Sequence, residues 1–383
     1  MIMDSPLALP ASPALGLVQH ASARVQRPLR IAFFSDALPE RNGAGSYYQD
    51  LCHHLRAHGV VADLYQPHLK KRLQMALPLP GDPTQKLLTP NVPKLWAQFA
   101  AQQPDVVIAI TPGPFGLLGL SLAKRFGCSF LSAFHTQFEE LSRLYWNPLS
   151  RRVANGYLTL TNSVLCRHSR SVMVHNRALI ETVERLGARQ TDVMGTPLAP
   201  CFLDVPRLAH RASLRHVLFA GRLAPEKNVA DVVAAARQLP HIQFSIAGDG
   251  PLRRKLERQA RDLPNVQFWG WLSRPELRAL MDECDLLVLP SALETFGTIA
   301  LEAMARGRPA LVAEGAGIHD WPKLRDGLLV QTRDESVTSA LRRVQALPAS
   351  QWQTRARQAR EAAERLNQET VEQWITLVRR HLT

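Results

Sequence analysis

The sequence has no uninterrupted run of about eighteen apolar residues, the length a helix needs to cross a bilayer. Its nearest approach, residues 106–123, is broken by Pro112, Gly113, Pro114 and Gly116, which excludes a membrane span there. Cysteine is sparse, and Cys52, Cys128, Cys166, Cys201 and Cys284 stand far apart, so neither a zinc site nor a redox pair has its spacing. Such unpaired thiols suit a reducing cytoplasm. Acids are outnumbered, 33 against 46 Lys and Arg, and no Asp-x-Asp pair closes a strand to bridge a cation to a phosphate. Signatures of nucleic-acid readers, a zinc finger, an RNA-recognition motif or an aromatic-basic strand pattern, are also missing. Residues 1–28 carry no basic residue ahead of their apolar part, so a loose tail is expected there and a secretory signal is not.

What is present is enough chain for two cores. A length of 383 residues is long for one domain and comfortable for two. Strand and helix signals alternate through residues 29–200, pause at a proline-rich connection between Gly195 and Pro206, and restart over 207–366. That alternation predicts α/β architecture: two doubly wound, Rossmann-like sheets. The last stretch, residues 367–383, places Val371, Trp374, Ile375 and Val378 at helical spacing.

The most informative segment is residues 290–309. An apolar strand, Asp285 to Leu289, ends at Pro290; Thr298 to Arg306 then carries helix formers, with Glu294, Phe296 and Gly297 in the loop and Glu302 in the helix. Ligands in open α/β sheets bind beyond the carboxyl ends of strands, where the amides of the next helix face outward with partial positive charge. Eight residues in one continuous helix would set two carboxylates about 12 Å apart. With Glu294 before the glycine, both acids can face one bound molecule. Upstream, the strand His216 to Ala220 leads into Gly221, Arg222, Pro225, Glu226 and Lys227, followed by the helix Val229 to Leu239 with Asn228 as its expected N-cap. A guanidinium fork and a point charge on one short loop suit a diphosphate. The next strand, Ile242 to Ala247, ends in Gly248, Asp249 and Gly250, which let a ligand approach the backbone closely.

In this order, Gly221-Arg222, Glu226-Lys227, residues 248–252, residues 266–272 and the Glu294/Glu302 pair, the second half resembles the retaining glycosyltransferases of family 4. That family includes sucrose-phosphate synthases, bacterial mannosyltransferases and glycolipid synthases. The resemblance implies a GT-B fold, two facing domains with a cleft between them, and a nucleotide-sugar donor. It places Arg222 and Lys227 on the donor diphosphate, Glu302 on the ribose, Glu294 on the transferred sugar and Gly270, Trp271 and Leu272 along the base. Gly221, Gly248, Gly250, Phe296 and Gly297 complete the donor side.

The first half resembles the acceptor domain of the same enzymes. The strand Leu29 to Asp36 is followed by a glycine-rich turn with Gly43 and Gly45, expected across the cleft from the donor phosphates, and by the helix Tyr47 to His58. His135 stands at the end of the strand Ser129 to Phe134 and, in the family's His-Thr pair with Thr136, is expected against the donor sugar. Two stretches depart from the family: residues 194–202, where a Gly-Val-Asp pattern is usual, and residues 314–321, where Gly-Gly-x-Pro-Glu is usual. They leave the donor sugar and domain closure open.

The implied catalytic set is therefore Arg222, Lys227, Glu294 and His135, with no metal and no cofactor beyond the co-substrate. A lipid or glycan hydroxyl is the expected acceptor; UDP and GDP donors remain open. The +13 net charge leans to the first half, where residues 1–200 carry 20 basic and 12 acidic residues. Lys70, Lys71 and Arg72 beside Leu73, Met75 and Leu77 could rest on anionic headgroups, so the expected location is cytoplasmic, with peripheral membrane contact. Two alternatives stand beside transfer: a nucleotide-sugar epimerase of similar build, and a basic nucleic-acid- or membrane-binding protein without catalysis.

Overall fold

A computed structural model of the chain describes residues 27–37, 43–67, 76–79, 82–135, 147–204 and 213–382. The strands of the first half are β1 (Arg30–Phe34), β2 (Val61–Tyr65), β3 (Ala76–Leu79), β4 (Asp82–Leu88), β5 (Val106–Ala109), β6 (Ser129–Phe134), β7 (Val172–Val174) and β8 (Thr191–Val193). Six of them form a parallel sheet in the order β2-β1-β5-β6-β7-β8, and β3 pairs with β4. Around that sheet lie α1 (Gly43–Ala57), α2 (Val92–Gln102), α3 (Pro114–Phe126), α4 (Pro148–His168) and α5 (Ile180–Arg185), while the short α6 (Pro200–Leu203) packs on the core of the second half.

The second half repeats the plan with β9 (His216–Ala220), β10 (Gln243–Ala247), β11 (Val266–Gly270), β12 (Leu286–Leu289), β13 (Ala310–Ala313) and β14 (Leu328–Gln331). Their order is β11-β10-β9-β12-β13-β14, again all parallel. The helices are α7 (Val229–Gln238), α8 (Arg253–Gln259), α9 (Arg274–Glu283), α10 (Thr298–Ala305), α11 (Val337–Gln345) and α12 (Ala349–Arg380). Central strands such as β5, β9 and β12 are buried on both faces, which explains why they read as unbroken apolar runs. Strand order reverses between β9 and β12, so the crevice at their carboxyl ends is the switch point where such sheets take ligands.

Each sheet is packed on both faces. One face of the first carries Tyr47, Tyr48 and Leu51 of α1, and the other carries α2 and α3 through Phe99, Leu120 and Leu122. In the second sheet, α7, α8 and α11 cover one face, while α9, α10 and part of α12 cover the other. The helix α12 serves both halves. Ala359, Ala362, Ala363 and Leu366 pack on the second core, whereas Trp374, Leu377 and Val378 enter the first. The helical stripe expected from residue 368 is thus the distal part of a 32-residue helix; its alanine-rich first half gave no distinct apolar period.

Two further details differ from the sequence reading. Gly43 and Gly45 form the first turn of α1 itself instead of a turn before it. Asn228 holds the N-cap position of α7 in the left-handed region, at φ 49°, but its side chain does not cap the helix. Its amide donates to Pro290 O at 3.0 Å instead and ties the β9 loop to the end of β12. Where it is described, the proline-rich connection between the halves is firmly held: Pro200 starts α6, and the buried Arg306 guanidinium grips it. That group pairs in a fork with Asp282 at 2.8 and 2.7 Å and donates to the carbonyls of Phe202 and Asp204. The tail to residue 26, Thr136, the basic cluster at Lys70, Lys71 and Arg72, and residues 205–212 of the connection lie outside the described residues.

Candidate active site

The phosphate-site candidates come together at the switch point. After β9 the backbone turns through Gly221, at φ 154°, and Gly221 N donates to Ala247 O at 3.0 Å. Gly248, at φ 128°, crosses so close that a Cβ there would lie 1.8 Å from Gly221 O. Only glycine permits that approach. Arg222 then pairs with the buried Glu226 at 3.6 Å, and Glu226 O accepts from Ala292 N at 2.9 Å. The loop after β9 is thereby fixed to the loop after β12. Lys227 Nζ reaches Glu294 Oε2 at 2.5 Å, which joins two expected site residues 67 positions apart.

Glu294 is held by its own loop. Gly317 N donates to Glu294 O at 2.9 Å and Ile318 N to Phe296 O at 2.7 Å, so part of the departing segment 314–321 clamps the loop that carries the acid. Gly297 follows at φ 103° as the N-cap of α10, and the first amides of that helix lack intrahelical partners, as at any helix start. Glu302 lies one turn inside α10 and is 8% exposed. Burial pushes its carboxyl up to about 8; Arg274 opposes the rise and Asp50 adds to it. The base-side stretch divides: Trp271 is 56% exposed, while Leu272 packs against the core beside α10.

On the opposite wall, His135 sits directly after β6, and both ring nitrogens are engaged within the first half. Nε2 lies 2.9 Å from the Tyr48 hydroxyl and Nδ1 lies 2.6 Å from His175 Nε2. Burial, then the neighbouring His175, holds the His135 ring well below the usual histidine range. His175 itself is brought down to about 4 by burial. Gly45 is buried on the same helix as Tyr48.

Several residues that the sequence reading missed close the cleft. Arg274, at the start of α9, forms a fork with Asp50 of α1 at 2.5 and 2.8 Å. Asn176 Nδ2 donates to Thr295 O at 2.7 Å, and Trp321 Nε1 donates to His175 O at 3.0 Å. The His175 ring also meets Phe296 edge-on, with centroids 6.2 Å apart. His175 and Asn176 follow β7 directly, so the strand-end rule that singled out His135 would have found them. Asp50 and Arg274 gave no such signal. Among the described residues, no three His, Cys, Asp or Glu side chains gather as a metal site, and no helix is long and apolar enough to cross a membrane.

A model described as Glycosyltransferase Family 4 matches residues 41–195, and one described as Glycosyl transferases group 1 matches residues 215–346. The chain belongs to the family 4 type of glycosyltransferases. Among relatives of this glycosyltransferase, the GDP-mannose-dependent alpha-(1-6)-phosphatidylinositol dimannoside mannosyltransferase of Mycobacterium tuberculosis is 30% identical over 224 residues. That alignment takes in 55% of this chain and 58% of the relative, so it spans little more than half of the relative's length. The sulfoquinovosyl transferase of Arabidopsis thaliana is 25% identical over 322 residues, 77% of this chain and 62% of that protein. Sucrose-phosphate synthase from Thermosynechococcus elongatus superposes with a TM-score of 0.73 at 19% identity, covering 92% of this chain and 98% of that one. Anabaena HepE, solved with UDP and glucose, gives 0.63 at 18% identity over 91% and 100%. The fold is therefore GT-B.

Proposed function

We propose that this glycosyltransferase moves a hexose, with retention, from a nucleotide sugar to a hydroxyl of a lipid or glycan, without a metal. The observation that supports the reading is the Lys227–Glu294 contact beyond β9 and β12, on a loop shared with Arg222, together with the contacts that Thr295 and Phe296 of the Glu294 loop make with Asn176 and His175 of the other sheet. Arg222 and Lys227 would take the diphosphate; their charge acts mainly on the leaving oxygen, where negative charge grows toward the transition state. The ammonium of Lys227 has three donors, so it can keep Glu294 in place while it meets a phosphate. Glu294 then orients the sugar hydroxyls, and Glu302, neutral when the cleft is empty, can donate to or accept from the ribose. Amides at the start of α10 add partial positive charge.

GDP-mannose is the first donor to test, because two relatives are named for dependence on it; UDP-glucose, bound in a structural neighbour, is the second. Family membership favours transfer over the epimerase and the non-catalytic alternatives. The deciding experiment measures release of free nucleoside diphosphate over a panel of nucleotide sugars and lipid or glycan acceptors, with and without exhaustive chelation. Acceptor-dependent release that survives the chelator is expected. Release that depends on added magnesium or manganese would reject the assigned phosphate site, and conversion of the donor sugar without an acceptor would reject transfer.

A further inference from the structure

The hydrogen-bond chain behind His135 has a direction that its two ends dictate. Met194 O can only accept, and it lies 3.1 Å from His175 Nδ1, so that nitrogen carries the proton. A neutral imidazole has one N–H; His175 Nε2 is therefore bare and accepts from His135 Nδ1 at 2.6 Å. His135 Nε2 is bare in turn and accepts from the Tyr48 hydroxyl at 2.9 Å. Burial keeps both rings from gaining a second proton near neutral pH. Tyr48 is fully buried and His175 is 7% exposed, so water does not compete readily at either link. The far end of the chain lies where the two departures from the family meet. Met194 opens one changed segment, and Trp321 of the other donates to the His175 carbonyl.

We infer that Tyr48 and His175 are positioning residues that hold His135 as the neutral Nδ1–H tautomer with both nitrogens occupied, so that His135 offers the donor sugar its ring edge and main chain but no proton. The inference rests on the proposed transfer reaction for its consequence, though not for its geometry. It makes His135 a shaped wall of the sugar pocket and removes it from acid–base duty, which leaves charge stabilisation to the phosphate side. The residue that sets the wall is His175, whose ring also packs against Tyr47 and Phe296.

The test uses the full chain with nitrogen-15 histidine. Long-range imidazole spectra at neutral pH are expected to show Nδ1–H at both His135 and His175. His175→Phe keeps a ring between Tyr47 and Phe296 but offers no acceptor, and should shift His135 toward the Nε2–H form. With a working donor, its turnover should fall about tenfold while donor KM moves by no more than about threefold, as expected of a misplaced pocket wall. His175→Gln can restore an acceptor oxygen and should recover most of the loss. An Nε2–H form of His135 in the parent protein would overturn the inference, as would full turnover in His175→Phe. The spectra require no turnover, so they decide the relay even if no sugar is transferred and the proposed reaction fails.

Discussion

The contact between Lys227 and Glu294 at 2.5 Å sets a cation meant for phosphate against an acid meant for sugar, and each prepares the other. Glu294 keeps the ammonium from swinging to solvent; Lys227 fixes the direction in which the carboxylate points. Lys227→Ala and Arg222→Ala should each weaken donor binding and slow transfer by roughly ten- to a hundredfold, since a hydrogen bond to a charged group contributes about 1.5 to 3 kcal/mol. Unchanged donor affinity and turnover in both variants would remove them from the site. Glu302 provides a test without substrate. Its folded value of about 8 lies above the ordinary 4.5, so between those two pH values the folded chain holds a proton that the unfolded chain has lost. Stability must then fall as pH rises through that window. Glu302→Gln is neutral throughout. It should match the parent below pH 4.5 and exceed it increasingly toward pH 8, by an amount of order a few kcal/mol at about 1.4 kcal/mol per pKa unit. Thermal unfolding over a pH series measures this, and a stability difference that does not vary with pH would contradict the burial of the carboxyl.

Elements were legible in the sequence where burial is uniform. The strands β9, β10 and β12 are apolar runs that stop at glycine or proline, and the loops that bear Arg222, Lys227 and Glu294 follow from those stops. The extent of α12 was not legible, because small alanines face the second core over residues 356–363 and a stripe of small residues has little periodicity. The swing of Asn228 away from its capping role was hidden too, since its partner, Pro290 O, is 62 positions away. The long helix makes the two cores testable separately. Trp374 is fully buried in the first core, where its Nε1 donates to the Tyr47 hydroxyl at 2.9 Å, and Trp352 is buried in the second. Trp374→Ala should cost about 3 to 5 kcal/mol, as large buried truncations do. In hydrogen exchange its effect should fall on α1 and β1, whereas Trp352→Ala should loosen α7 and α11. Equal loosening of both halves by both variants would show that α12 couples them into one cooperative unit.

At the scale of the whole molecule, the cleft is spanned by a few polar contacts between residues far apart in the chain. Asn176 to Thr295 O joins positions 119 apart and Asp50 to Arg274 joins positions 224 apart. No local pattern can announce such pairs, which is why the two walls were legible and their fastening was not. The Asp50–Arg274 fork also stands beside Glu302: Arg274 draws that carboxyl toward ionisation and Asp50 pushes it the other way. The closed arrangement therefore commits Arg274 to the opposite half at the expense of its neighbour on α10. Asp50→Asn keeps the shape of the side chain but removes its charge, freeing Arg274 to serve Glu302 and weakening the bridge. If the bridge contributes about 1.4 kcal/mol to closure, the open population rises tenfold. Small-angle scattering of the empty variant should show a larger radius of gyration than the parent, and a saturating donor should bring the two together, because the donor adds contacts to both walls. High salt should change the parent little, since the Asp50 carboxylate is buried and such a pair is weakly screened, so the size difference between parent and variant should persist across ionic strength. A parent and a variant of equal size at every ionic strength would show that α12, Asn176 and Trp321 hold the halves together without the fork.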